Sequence, residues 1–97
     1  MSASVSTHVL DTSTGRPAAG VRVELFRDKA LLASGETDGD GRIRELAAGV
    51  EPGAAELVFH PPSAFFRRVA LEVVLEDGHQ HVPLLVSPYS CASYRGS

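Results

Sequence analysis

The residues best suited to acid–base chemistry in this chain are four histidines, His8, His60, His79 and His81, and one arginine, Arg42. An imidazole with near-neutral proton affinity takes a proton from water and returns it to a leaving nitrogen. A guanidinium beside it binds planar oxygens and stabilises a developing oxyanion. His79 and His81 stand two apart, so on a strand both point to the same face. That spacing also suits a pair of metal ligands. Zinc needs a third protein ligand, for which only His8 is an obvious candidate, so no metal and no cofactor are expected. His60 directly precedes Pro61-Pro62 and is read as loop packing. Arg42 follows the turn Asp38-Gly39-Asp40-Gly41, a good place from which to present a side chain at the start of a strand. Taken singly, it reads better as a solvated surface arginine. There is no Gly-x-Ser-x-Gly elbow, and Cys91 lacks the flanking pattern of a nucleophile and reads as a small buried residue. Residue types alone leave catalysis and structure both open.

The elements that must position these groups are strands. Val5 to Asp11 alternates, with Val5, Thr7 and Val9 on one face and Ser6, His8 and Leu10 on the other. Thr12 to Pro17 reads as a connection, and Val21 to Arg27 as a strand with Val21, Val23 and Leu25 inward. Asp28-Lys29 turns the chain into a strand over Ala30 to Thr37. Arg42 to Leu46 is a short strand, Ala47 to Gly53 a loop, and Ala54 to His60 a strand stopped by the two prolines. Arg67 to Glu76, His79 to Ser87 and Ser90 to Arg95 complete the series. No segment has a useful helical period. Seven or eight closely spaced strands predict an all-β, two-sheet antiparallel β-sandwich.

The chain has 97 residues, 43% hydrophobic and 22% charged, which fits one domain over 1–97 and argues against disorder. A net charge of −3 argues against nucleic-acid binding. No apolar run reaches the ~18–20 residues of a membrane span. Met1-Ser2-Ala3-Ser4 has no basic stretch before an apolar core, and Arg95-Gly96-Ser97 is not a peroxisomal ending, so a cytoplasmic location is expected. The single Cys91 excludes an internal disulfide. Open sandwiches leave edge strands, which a second subunit would protect.

Three blocks in order carry a resemblance. Thr7-His8-Val9-Leu10-Asp11 with Thr14-Gly15-Arg16-Pro17-Ala18 is the first, and Thr37-Asp38-Gly39-Asp40-Gly41-Arg42 the second. The third runs from His81-Val82-Pro83-Leu84-Leu85-Val86-Ser87-Pro88 to the terminal Tyr94-Arg95-Gly96-Ser97. Together they resemble the transthyretin-related 5-hydroxyisourate hydrolases, and the terminal tetrapeptide separates that group from the hormone-carrying transthyretins. The resemblance implies a transthyretin-like sandwich assembled as a homotetramer, a dimer of dimers with its sites in the channel where the dimers meet. It implies ring opening of 5-hydroxyisourate to 2-oxo-4-hydroxy-4-carboxy-5-ureidoimidazoline in purine catabolism. The functional positions it implies are His8, Arg42 and His81 for catalysis, and Tyr94, Arg95, Gly96 and Ser97 for substrate binding.

Some features depart from that pattern. The short helix between the strands Ala54–His60 and Arg67–Glu76 is missing, since His60-Pro61-Pro62-Ser63-Ala64 runs almost directly into Phe65-Phe66. Gln80 replaces the usual tyrosine between the two histidines, and Ser90-Cys91-Ala92-Ser93 replaces a Gly-Tyr-Ser-Thr-like stretch. Two alternatives therefore stand beside the hydrolase. One is a small-ligand binder on the same scaffold, and the other is a relative acting on another cyclic amide or imine.

Overall fold

The computed structural model describes residues 1–96; Ser97 lies outside them. The described residues form ten strands and no helix. In chain order these are β1 (Ala3–Asp11), β2 (Arg16–Pro17), β3 (Arg22–Arg27), β4 (Ala30–Glu36) and β5 (Arg42–Val50). There follow β6 (Gly53–His60), β7 (Val69–Leu75), β8 (Gly78–His81), β9 (Leu84–Ser87) and β10 (Ser90–Ser93). One sheet has the order β4-β3-β6-β7, antiparallel throughout. The other is organised around β1. On one edge β1 pairs antiparallel with β5 and β2; on the other it pairs in parallel with β8 and β9, and β10 flanks β9.

Period-two alternation sends one face of each sheet inward. Ala3, Val5, Val9 and Leu84 of the β1 sheet meet Val23, Leu25, Leu57 and Phe59 of the β4-β3-β6-β7 sheet in one buried cluster. Each fully buried Val, Leu or Phe side chain among them contributes about 1.5–3 kcal/mol. The expected two-sheet sandwich is present, and as expected no helix joins β6 to β7 among the described residues: the chain passes between them through irregular backbone.

Several boundaries differ from the sequence reading. Ala47 to Gly53 is not all loop, because β5 continues to Val50, which pairs with Ala3. Gly49, at φ 66°, lets the backbone follow the register shifts along this ladder. The strand expected from His79 to Ser87 is two strands. Pro83 has no amide hydrogen to offer β1, so the ladder breaks between His81 and Leu84. Two further expected strands are longer than those observed, Arg67 to Glu76 narrowing to Val69–Leu75 and Ser90 to Arg95 ending at Ser93, whereas the first strand begins earlier than expected, at Ala3. Arg16-Pro17, expected as connection, makes the short β2 rung against Leu10 and Asp11.

Two turns matter most. Asp28 and Lys29, both at positive φ (50° and 68°), form the tight hairpin between β3 and β4. The turn before β5 is held by Asp38, whose Oδ1 accepts the amide hydrogens of Asp40 and Arg42, each at 2.9 Å. Gly41 sits there at φ 74°, and a Cβ on it would lie 2.5 Å from the Val9 carbonyl oxygen. Gly41→Ala is therefore expected to lower unfolding free energy by roughly 2 kcal/mol or more, through both strain and collision. Chemical denaturation of the parent and variant measures it.

Candidate active site

The site is built on the outward face of the β1 sheet. Alternation along β1 puts Thr7 and Val9 in the core and turns Ser4, Ser6 and His8 to the outward face, where Ser6 is covered by its neighbours. Alternation along β8 buries Gln80 and sends His79 and His81 outward. Gln80 is held by its own bonds: its Oε1 accepts the Glu76 amide, and its Nε2 donates to the Gly78 carbonyl at 2.7 Å. This inward residue thus staples the β7–β8 turn, which aligns the histidines on either side.

Register then brings the groups together. His8 and Arg42 are direct partners across β1 and β5, a relationship that places their Cβ atoms about 4.5–5.5 Å apart. Ser6, one outward position earlier on β1, is the parallel partner of His81. His8, Arg42 and His81 consequently share one patch on three adjacent strands. The Asp38 turn delivers Arg42, since the Arg42 amide is one of the two that Asp38 holds. That hydrogen bond is the main reason the Asp38 carboxyl lies below its ordinary range, with Arg44 and Arg42 adding smaller electrostatic support.

The tautomers follow from the partners. His8 Nε2 lies 2.8 Å from the Asp40 carbonyl oxygen, which can only accept, so Nε2 holds the hydrogen. His8 Nδ1 is then left with a free lone pair in the neutral ring. His81 Nδ1 lies 2.7 Å from Ser6 Oγ, which orients the ring and leaves Nε2 outward. Burial lowers the pKa of His81 below the usual 6.5, and the nearby His8, Arg42 and His79 lower it further. His81 therefore holds its neutral, proton-accepting form at neutral pH.

Of the terminal tetrapeptide, Gly96 reaches this patch. Its amide donates to the His81 carbonyl at 2.7 Å, and it forms a bridge with His81. A Cβ on Gly96 would lie 2.8 Å from His81 Cδ2, so only glycine leaves the imidazole undisturbed. Tyr94 and Arg95 sit apart from it within one chain. Tyr94 is exposed and lines a recess with Leu71, Leu75 and Val82, while the Arg95 guanidinium pairs with Glu76. Ser97 lies outside the described residues.

The remaining candidates are structural. His60 is more than loop packing, because its Nε2 meets Glu24 Oε1 at 2.6 Å across β3 and β6. That bond is the main cause of the lowered Glu24 pKa. Cys91 packs against the core, and burial pushes its thiol pKa up, away from thiolate chemistry. Among the described residues no group of three or more His, Cys, Asp or Glu could hold a metal ion. Sequence reasoning missed Ser4 and Ser6, both bonded to His79. The outward phase of β1 that revealed His8 also contains them, but serine on a strand has no chemical signature of its own.

Known proteins share this arrangement of strands and sequence. A family model described as the HIUase/Transthyretin family matches residues 5–96. The chain is 40% identical to 5-hydroxyisourate hydrolase 2 of Rhizobium meliloti, over 96% of this chain and 95% of that protein. It is 41% identical to the 5-hydroxyisourate hydrolase of Halalkalibacterium halodurans, over the full length of both. The solved structure of Klebsiella pneumoniae 5-hydroxyisourate hydrolase superposes with a TM-score of 0.89 at 35% identity, covering 98% of this chain and 99% of that one. Sea bream transthyretin in complex with thyroxine shares the fold, with a TM-score of 0.83 at 22% identity, covering 95% and 93%. With the strand order, the outward histidine face and these full-length similarities in agreement, the chain belongs to the HIUase/transthyretin family.

Proposed function

We propose that this protein is a 5-hydroxyisourate hydrolase, opening the six-membered ring to 2-oxo-4-hydroxy-4-carboxy-5-ureidoimidazoline in purine catabolism. The observation that carries the proposal is the meeting of His8, Arg42 and a neutral His81 on one sheet face. Relatives named for this activity, similar over their whole length, support it.

Neutral His81 takes a proton from water at Nε2 as the water oxygen attacks the ring carbonyl. Arg42 binds the oxyanion of the tetrahedral species, and the free lone pair of His8 helps to hold the water. Collapse breaks the carbon–nitrogen bond, and His81 returns the proton from Nε2 to the departing nitrogen. Base help of this kind supplies ~10²–10⁴-fold, and one oxyanion donor ~10²–10³-fold. Gly96 keeps the His81 ring in place, and Tyr94, Arg95 and Ser97 complete the substrate surface where subunits meet.

The assembly we propose is a homotetramer, two dimers enclosing a channel. The reactive face is open in the single chain, and recesses of about 340, 740 and 360 Å³ lie elsewhere on it. A second copy laid over the face would exclude bulk water and strengthen the Arg42 interaction with developing charge. Among the described residues no helix is long and apolar enough to cross a membrane. A cytoplasmic location belongs to the same proposal.

Three outcomes test this reading. With 5-hydroxyisourate made in situ by urate oxidase and followed by ultraviolet absorbance, the parent protein accelerates decay above the spontaneous rate. His81→Ala loses ~10²–10⁴-fold in kcat/KM and Arg42→Gln ~10²–10³-fold; a parent that leaves the spontaneous rate unchanged refutes the proposal. The second outcome is the acid limb of kcat/KM against pH. Because His81 must be neutral, activity falls as pH drops through its pKa, with a midpoint below 6.5. Arg42→Gln removes a positive neighbour, so the midpoint moves up; a downward movement contradicts the electrostatic account. Third, Gly96→Ala, by pushing the His81 ring aside, lowers kcat about tenfold or more. Its thermal unfolding midpoint stays near the parent's.

A further inference from the structure

The hydrogen bonds around His81 run beyond the groups assigned to the reaction. Ser6 Oγ lies 2.7 Å from His81 Nδ1 and 2.8 Å from His79 Nε2. Ser4 Oγ lies 2.6 Å from His79 Nδ1. These contacts form one unbroken line along the outer face, from His81 through Ser6 and His79 to Ser4. Ser6 is buried and His79 is exposed, so the line leads from the reacting ring to solvent.

A serine hydroxyl has one hydrogen to donate. With both rings neutral, the arrangement that leaves no buried hydrogen unpaired has one ring donating to Ser6 and the other accepting from it. The line therefore has two polarities. In one, His81 Nδ1–H donates to Ser6, Ser6 to His79 Nε2, and His79 Nδ1–H to Ser4, leaving His81 Nε2 free as a base. In the other every bond is reversed, and His81 Nε2 holds a hydrogen ready for donation.

We propose that Ser6, His79 and Ser4 form a proton relay that sets the tautomer of His81 and exchanges its proton with solvent. The inference rests on His81 being the base of the proposed hydrolysis. When His81 Nε2 takes a proton from the attacking water, its Nδ1 proton moves to Ser6 and the Ser6 hydrogen moves to His79 Nε2. The His79 Nδ1 proton passes to Ser4, which releases its own hydroxyl hydrogen to solvent. One proton enters, one leaves, and His81 ends neutral with Nε2 protonated. Reverse flow restores the base when Nε2 delivers that proton to the departing nitrogen. Positive charge on Arg42, which faces His81 from β5, favours outward movement. Ser6 and His79 are positioning residues here, because neither touches the substrate.

The test compares the folded parent, His81→Ala, His79→Ala, Ser6→Ala and Ser6→Thr with 5-hydroxyisourate in water–deuterium oxide mixtures. Ser6→Ala and His79→Ala are expected to lower kcat by about ten- to a hundredfold, part of what base catalysis supplies. KM stays close to the parent's. Ser6→Thr keeps the hydroxyl and recovers most of the rate, and added imidazole restores His79→Ala. The dependence of rate on deuterium fraction is curved in the parent and becomes linear when the relay is cut. If Ser6→Ala and His79→Ala keep the parental kcat while His81→Ala is inactive, the relay is refuted and the hydrolase reading stands. Losses that imidazole does not restore, with an unchanged isotope dependence, also refute the relay. If His81→Ala keeps full activity, both fall.

Discussion

The parallel pairing of β1 with β8 is the interaction on which the core and the site both depend. Its register sets Val5 against Gln80 and Ser6 against His81, so one rung faces inward and the next outward. A slip of one residue would exchange the faces of the whole strand. His79 and His81 would then enter the apolar core, where unpaired imidazoles are costly, and Gln80 would lose its turn contacts. Burial of Val5 and Val9 therefore holds the histidines in place indirectly. Stability and chemistry share the same rungs.

The electrostatics of the patch follow from that geometry. Three cationic or potentially cationic side chains, His8, Arg42 and His79, surround His81, and no carboxylate contributes to its shift. An acidic neighbour would raise its proton affinity and fill the base at neutral pH. The carboxylate of the Asp38 turn is instead engaged with main-chain amides. It fixes the start of β5 without quenching the guanidinium that β5 presents. This division lets the Asp38 carboxylate position a cation mainly through main-chain amides.

Much of this was legible in the sequence because it is local. Period two over Val5 to Asp11 placed His8 outside, the i, i+2 spacing put His79 and His81 on one face, and Asp38 to Gly41 announced its turn. The break of the last long strand was written in Pro83, yet Val82-Pro83 in an apolar run reads as continuous until the neighbour that lacks a donor is known. Gly49 misled in the other direction, since glycine near Pro52 signals a loop while here it bends a continuing strand. The Ser6–His79 and Ser6–His81 contacts join residues more than seventy positions apart. Nothing in either segment announces the other. Gly96 behaves alike: its need to be glycine comes from the His81 ring, which only the folded chain places against it.

The central claim is that water attacks the ring carbonyl of 5-hydroxyisourate on this histidine–arginine face. Its most direct measurement is carbon-13 nuclear magnetic resonance of 5-hydroxyisourate turnover in oxygen-18 water, with and without the protein. The account predicts that 2-oxo-4-hydroxy-4-carboxy-5-ureidoimidazoline forms well ahead of the uncatalysed control, with one heavy oxygen in its new carboxylate. Product forming only at the uncatalysed pace, or catalysed product without that label, would contradict it.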